Sequence, residues 1–446
     1  MDLLAFFRTG PDRPPVSRDP GEIRRLYKRS RWSVFLSVTL GYGMFYVARM
    51  NLSVAKVPLL EEGVFSNTQL GIMGSALLGV YAVGKTLNGF LADRAHIARF
   101  LSTALLLSAG VNLLLGLTTS FWVFVALWGL NGWFQSIGSA PCVVTLSQWF
   151  SRKEIGTRYG IWSTSHGIGN AITKYLTAVL VAHLGWRWGF WGPGLACGLA
   201  ALVLYHTLRD RPQACGLPPV SEYRNDPEPP APARGPLGRA QLRLLLHPGI
   251  WLLGMSSAAM YVVRYGLDSW GVLLLRSRGC SLVDAALASS LYSLATVAGA
   301  LLSGVLSDRL FHADRRIPAA LFGVLNIAGL VALRLAPPGS FGLDVGILLV
   351  QGLAIGVLVT YLGGLMAVDI CPREVTGAAM GLIGGLSYVG AAIQDTVSGV
   401  LLDASAAETE GVITYSFETT FRFWIAMAVL SLLLTLAAWN AGRRAR

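Results

Sequence analysis

Long apolar runs, separated by short polar segments, recur along the whole chain. Their length and spacing predict twelve helices, over 32–56, 68–92, 100–119, 121–149, 158–184, 187–208, 249–275, 284–307, 318–336, 342–368, 377–402 and 420–441. Most of these runs are long enough to cross about 30 Å of hydrocarbon at about 1.5 Å per residue. One stretch, 209–248, carries no such run and is rich in proline and charge, as in Asp226-Pro-Glu-Pro-Pro-Ala-Pro. It divides the chain into an N-terminal tail (1–31), a six-helix bundle (32–208), a linker (209–248), a second six-helix bundle (249–441) and a short tail (442–446). The expected fold is an all-α polytopic membrane protein.

Composition agrees with the pattern. Only 13% of residues are charged, where soluble domains carry about 25%, and mean hydropathy is +0.55. So few charges cannot cover the surface of a soluble protein of 446 residues, and disorder needs the opposite balance. The net charge of +12 would suggest nucleic acid, but its placement argues otherwise. Of 36 basic residues, 26 fall in the tails, the linker and alternate loops, eight of them before Trp32. The opposite loops are nearly free of Lys and Arg, so the positive-inside rule places both termini in the cytoplasm. The tail has no apolar segment followed by a small-residue cleavage site, so no signal peptide is expected. The five cysteines, Cys142, Cys197, Cys215, Cys280 and Cys371, stand singly, which implies neither a disulfide framework nor a metal site. No phosphate-binding loop, zinc motif or nucleophile elbow occurs, so neither an enzyme nor a cofactor is expected.

The two halves repeat one another. Gly89-Phe-Leu-Ala-Asp93-Arg94 follows the second run, and Gly304-Val-Leu-Ser-Asp308-Arg309 follows the eighth, 215 residues later. Tyr46-Val-Ala-Arg49 and Tyr261-Val-Val-Arg264 are separated by the same 215 residues. The chain therefore reads as a duplicated six-helix unit. In the Gly-x-x-x-Asp-Arg turns, glycine would allow close helix approach, and the charged pair would cap helix ends, serving packing and gating.

Charges inside the spans are the informative ones, because each costs about 2.5–3.5 kcal/mol to insert. Arg49 shares a helical face with Tyr42 and Tyr46, and Arg264 shares one with Tyr261, Tyr265 and Asp268. In a two-fold repeat the first and seventh helices face each other across a central cavity. Two guanidiniums there would repel unless an anion lay between them, and their planar forks match phosphate oxygens. The alternative is that each arginine pairs with a carboxylate, such as Arg264 with Asp268. Lys85 lies on one stripe with Tyr81 and Asn88. Ser163, His166, Asn170 and Lys174 form a continuous polar face on the fifth helix, consistent with a cavity lining. On the eleventh helix stand Tyr388, Gln394 and Asp395, the last able to balance a lysine.

These residues resemble a specific family. Gly41-Tyr42, Tyr46-x-x-Arg49, Lys85, the Gly89…Asp93-Arg94 turn and Gly132-Trp-Phe-Gln-Ser-Ile-Gly-Ser-Ala-Pro141-Cys142 resemble the organophosphate:phosphate antiporters of the major facilitator superfamily. So do Trp162…His166…Gly169, Arg209-Asp-Arg-Pro-Gln, the linker run from Cys215 to Asp226, and Tyr261-Val-Val-Arg264. The resemblance implies the major facilitator fold, two pseudo-symmetric six-helix bundles, in a bacterial inner membrane. It also implies alternating access, with exchange of a sugar phosphate or glycerol phosphate for inorganic phosphate. Carried over by position, Arg49 and Arg264 would bind phosphate. Lys85 and His166 would assist, and Tyr42, Tyr46, Tyr261 and Tyr388 would line the cavity. Met50 stands where family members often carry lysine, and Ser163 where they often carry asparagine. Two rival readings share the cavity. One is a membrane sensor of sugar phosphate that signals through a histidine kinase; the other is a proton-coupled anion symporter using His166 or Asp395.

Overall fold

The structure is a computed structural model that describes residues 6–17, 19–92, 95–226, 247–311, 315–367, 376–409 and 412–444. Among these, twelve long helical segments follow one another. α1 is Pro20–Met50 continued after a break by Leu52–Glu61, α2 is Asn67–Ala92 and α3 is Ile97–Leu115. α4 is Phe121–Ser136 continued by Ser139–Trp149, α5 is Arg152–Leu184 and α6 is Trp188–Thr207. In the second half, α7 is Pro248–Ser277, α8 is Leu282–Val305 and α9 is Arg316–Leu335. α10 is Phe341–Thr360, α11 is Thr376–Ala404 and α12 is Glu418–Arg444.

Six of the twelve, α3, α6, α8, α9, α10 and α12, are long and apolar enough by composition alone to cross a membrane. The other six carry buried polar side chains, among them Arg49, Lys56, Asn88, Asn131, Lys174, Asp268 and Asp395. Burying these inward lets each helix keep an apolar face for lipid, the arrangement expected for ionisable groups at membrane depth.

Packing repeats between the halves. α1 packs on α5 and α6, α2 on α4, and α3 on α4 and α6; α7 packs on α11 and α12, α8 on α10, and α9 on α10 and α12. The bundles meet through α2 against α11 and α5 against α8, which are again equivalent pairs. At the first of these seams, a β-carbon on Gly71 or Gly74 would collide with the Asp395 backbone or carboxylate. Glycine is therefore required there for the helices to approach.

The structure departs from the sequence reading at the ends. α1 begins at Pro20, inside the expected tail, because the Asp19 carboxylate accepts from the Gly21 and Glu22 amides and Pro20 fills the first turn. Its first twelve residues are highly charged, so hydropathy alone hides them. α12 runs to Arg444, past the expected end of the second bundle. Between α11 and α12, β1 (Ala407–Thr409) pairs antiparallel with β2 (Val412–Thr414), Ala407 opposite Thr414. This hairpin lies in a loop, where the helical pattern gave no signal for it.

Candidate functional site

Arg49 stands just before the break in α1, and buried amides hold that break. The Ala48 carbonyl accepts from Asn112 Nδ2 at 3.1 Å and Asn131 Nδ2 at 2.8 Å. Asn51, fully buried, donates to Asn112 Oδ1 at 2.9 Å and to the Gly189 carbonyl at 2.8 Å. Side chains of α3 and α4 thus satisfy backbone groups that an interrupted helix exposes, as irregular backbone at membrane depth requires. The Arg49 side chain is fixed in turn, its guanidinium 4.0 Å from the Tyr46 ring centroid and 5.0 Å from that of Tyr81. α7 is unbroken at the equivalent position, and Arg264 lies 5.1 Å from the Tyr261 ring and 5.5 Å from Tyr265.

Tyrosines from both halves close the space between the arginines. Tyr388 of α11 lies 4.7 Å from Tyr81, 5.7 Å from Tyr261 and 6.1 Å from Tyr265, ring centre to ring centre. Lys85 reaches the same ring, its Nζ 5.1 Å from the Tyr388 centroid. His166 packs 5.5 Å from Tyr46 and contacts the Ser163 carbonyl through Nδ1. Both arginines therefore border one tyrosine cluster, Arg49 through Tyr81 and Arg264 through Tyr261 and Tyr265, with Tyr388 against all three rings. Arg49 is 5% exposed, has no carboxylate partner among the described residues, and leaves Nε and Nη2 without hydrogen-bond partners. Arg264 leaves Nε without one. Such orphaned donors in a buried centre are uncommon, and they are the groups an oxyanion would satisfy. Tyr42 stands farther back, stacked 4.7 Å from Trp162, and Ser163 Oγ donates to the Gly160 carbonyl at 2.7 Å.

Two buried lysines, Lys174 and Lys56, are paired with aspartates across the bundles. Asp268 accepts from Lys174 at 2.9 Å and Asn170 at 3.1 Å, while Arg264 Nε is 4.0 Å away. The i+4 pairing of Arg264 with Asp268 is therefore secondary, because Lys174 reaches the carboxylate more closely from α5. Ser289 and Ser293 of α8 also accept from Lys174, at 3.0 and 3.2 Å. Asp395 accepts from Lys56 at 3.0 Å and from Ser269 at 2.8 Å, and Lys56 lies 3.6 Å from the Trp270 ring. Sequence reasoning gave Asp395 an unnamed lysine and missed Lys56, which it placed at the end of its helix. The spacing of Arg49, Ser53 and Lys56 on one face was the available signal.

The hydrogen bonds and ion pairs that join the bundles gather at the face remote from the N terminus. Asp403 accepts from the Asn67 and Thr68 amides at 3.0 and 2.7 Å. Arg276 pairs with Glu61 at 2.8 Å, and these two positions are themselves 215 residues apart. Beyond Arg49 toward this closed face lies a cavity of about 40 Å³ bordered by Leu78, Ser269 and Asp395, space for about three waters. Lys85, by contrast, is exposed. Bonds between the bundles therefore lie on one side of the centre, while Lys85 at its rim is exposed.

Of the expected gating turns, Asp93 and Arg94 lie outside the described residues. Gly89 is in the last turns of α2, and Asp308 and Arg309 fall in a π-helical turn, Leu306–Leu310, after α8. A β-carbon on Gly304 would meet no described atom within 4 Å. The expected close helix approach at that glycine is therefore absent among the described residues, because no described element packs there.

Comparison with known proteins places these features in a family. The Major Facilitator Superfamily model matches residues 38–394. The glycerol-3-phosphate transporter of Bacillus subtilis is 32% identical over 463 residues, 99% of each chain. The membrane sensor protein UhpC of Salmonella typhimurium is 32% identical over 397 residues, 88% of this chain and 89% of its own. A probable hexose phosphate transport protein of Chlamydia trachomatis is 30% identical over 448 residues, 96% of this chain and 94% of its own. Among solved structures, an inward-facing, unoccupied bacterial homologue of the lysosomal transporter Spinster superposes with a TM-score of 0.75. It is 18% identical, with 93% of this chain and 97% of that one covered, a likeness that bears on fold alone.

Proposed function

Because the chain belongs to the major facilitator superfamily, in its organophosphate:phosphate antiporter branch, we propose that it exchanges a small organophosphate for inorganic phosphate. Both termini would lie in the cytoplasm of a bacterial cell, and the chain would span its inner membrane. The observation that carries this reading is the pair of symmetry-related arginines in one tyrosine-lined centre, with buried guanidinium donors left unsatisfied. A phosphate group is the ligand whose oxygens would accept from these planar forks of donors. Lys85, from the exposed rim, and His166 would assist, and Tyr46, Tyr81, Tyr261, Tyr265 and Tyr388 would shape the site.

Exchange follows from electrostatics. Two cations in one desolvated space oppose closure over an empty site. Bound phosphate neutralises them and makes closure favourable, so the site turns over only when loaded. The lysine–aspartate pairs cross between the bundles and must separate when the site opens toward the remote face. Purified protein in vesicles preloaded with phosphate tests this. Labelled phosphate should enter only when phosphate or a sugar phosphate is inside, and glycerol phosphate or hexose phosphate should compete. Entry into empty vesicles at the same rate would refute obligatory exchange.

A second reading is favoured by the similarity to a membrane sensor protein. The same cavity would then report sugar phosphate to a membrane histidine kinase. Absence of counterflow, with binding of sugar phosphate retained, would favour it.

A further inference from the structure

A second cationic cavity lies at the end of the N-terminal bundle, far from the central arginines. It has a volume of about 300 Å³, at the lower end of the range of small-molecule sites, about 300–1,000 Å³. Arg24, Lys28 and Arg31 of α1, Arg158 of α5 and Arg224 of the linker border it, with Glu154 the lone carboxylate. Glu154 is consumed by two of the cations, Arg31 and Arg224, the latter at 2.7 Å. Burial opposes its ionisation, yet the hydrogen bond and charge of Arg31, with Ser151 and Arg224, hold its carboxyl below the usual glutamate value.

The remaining cations have no carboxylate partner among the described residues. Arg158 is held instead between aromatic rings, 5.2 Å from Trp32, 4.9 Å from Phe35 and 5.4 Å from Phe150. Arg31 lies 4.5 Å from the Phe150 ring and keeps a buried Nε without a partner. The linker closes one wall. Its short helix Val220–Tyr223 is pinned by Tyr223, stacked 3.9 Å from Tyr27 with the planes 3° apart. Five cations confined with one anion, two of them fixed over apolar rings, form a preorganised site for a multiply hydrogen-bonding anion. Trp32 is half-exposed where the apolar run of α1 begins, the level at which interfacial aromatics meet headgroups.

We propose that this cavity binds a phosphate group, carried by an anionic phospholipid headgroup or by a free phosphate, independently of the central site. The test uses the full chain in nanodiscs of phosphatidylcholine with or without phosphatidylglycerol, as wild type, Arg158→Gln, Lys28→Gln and Arg264→Ala. Lys28 is exposed and unpaired among the described residues, so its variant reads the site even if Arg158→Gln fails to fold. Native mass spectrometry reports retained phosphatidylglycerol, and equilibrium binding in pure phosphatidylcholine reports inorganic phosphate. A lipid ligand gives retention that falls about tenfold in Arg158→Gln, clearly in Lys28→Gln, and not in Arg264→Ala. A soluble ligand gives no lipid retention, but a second phosphate equivalent that survives Arg264→Ala and is lost in the other two. Equal lipid retention and equal phosphate stoichiometry in wild type, Arg158→Gln and Lys28→Gln would overturn the proposal.

Discussion

Lys56→Met gives a sharp test of how the remote face stays closed. Lys56 and Asp395 are 3.0 Å apart and almost fully buried. At an effective dielectric of about 20, two unit charges at that distance attract by about 5 kcal/mol. Desolvation of both ions offsets much of this, so the pair itself is close to neutral for closure. Removing one partner is different: it leaves a buried charge uncompensated, at a cost of about 3–5 kcal/mol. Lys56→Met should therefore shift the equilibrium toward opening at that face by about 3 kcal/mol, a factor of roughly 150. Asp395→Asn should cost less, because Trp270 lies 3.6 Å from the lysine and a desolvated cation–π contact returns about 2 kcal/mol. With both changes neither member of this pair is left as a buried charge, and closure should recover to within about 1 kcal/mol. The assay places a single cysteine at Leu78, which is buried and borders the cavity beside Arg49, in a chain with its native cysteines replaced. An impermeant thiol reagent added from the remote face reads opening as alkylation rate. The reasoning fails if Lys56→Met alkylates within threefold of its parent, or if the double variant stays as open as the single one.

Four further outcomes are expected. Arg49→Lys and Arg264→Lys keep the charge but lose the fork, so equilibrium binding of inorganic phosphate should weaken at least tenfold, about 1.5–3 kcal/mol. Gly74→Ala drives a methyl group into the Asp395 carboxylate, so the same alkylation assay should show a more open remote face with phosphate affinity little changed. Asn112→Ala removes a donor to the Ala48 carbonyl and a partner of Asn51, so thermal unfolding should show a loss of about 1–3 kcal/mol, with weakened phosphate binding. Burial opposes ionisation of Asp403, but hydrogen bonds from Thr68 and Asn67 hold its carboxyl below the usual aspartate value. Its stabilisation is then complete above the unfolded value and lost only as pH falls below about 4. Divided by the rate of an exposed control cysteine, which cancels the change of about tenfold per pH unit in thiolate, alkylation at the remote face should accordingly be flat from pH 5 to 7 in wild type, and Asp403→Asn should remove any rise in that ratio below about pH 4.

The sequence by itself determined the twelve helices and the duplicated halves, because apolar length and a repeated 215-residue offset are local or linear properties. It also determined which faces are polar: Arg49 with Tyr46, Arg264 with Tyr261, and the stripe from Ser163 to Lys174 follow from helical period alone. Partner choice was not legible, since it depends on how separate helices meet. The i+4 spacing offered Asp268 as an alternative partner for Arg264, and the two do lie 4.0 Å apart, but Lys174, 94 residues away, reaches the carboxylate more closely. Lys56 finds Asp395 across 339 residues, and Ala48 finds two asparagines on other helices. The start of α1 at Pro20 was hidden because its first turns are charged, while only packing shows that they help build a cationic cavity. The tertiary structure decided which cations are neutralised and which are left waiting. Charge pairing falls off over a few ångströms, whereas position along the chain fixes only the face on which a charge lies.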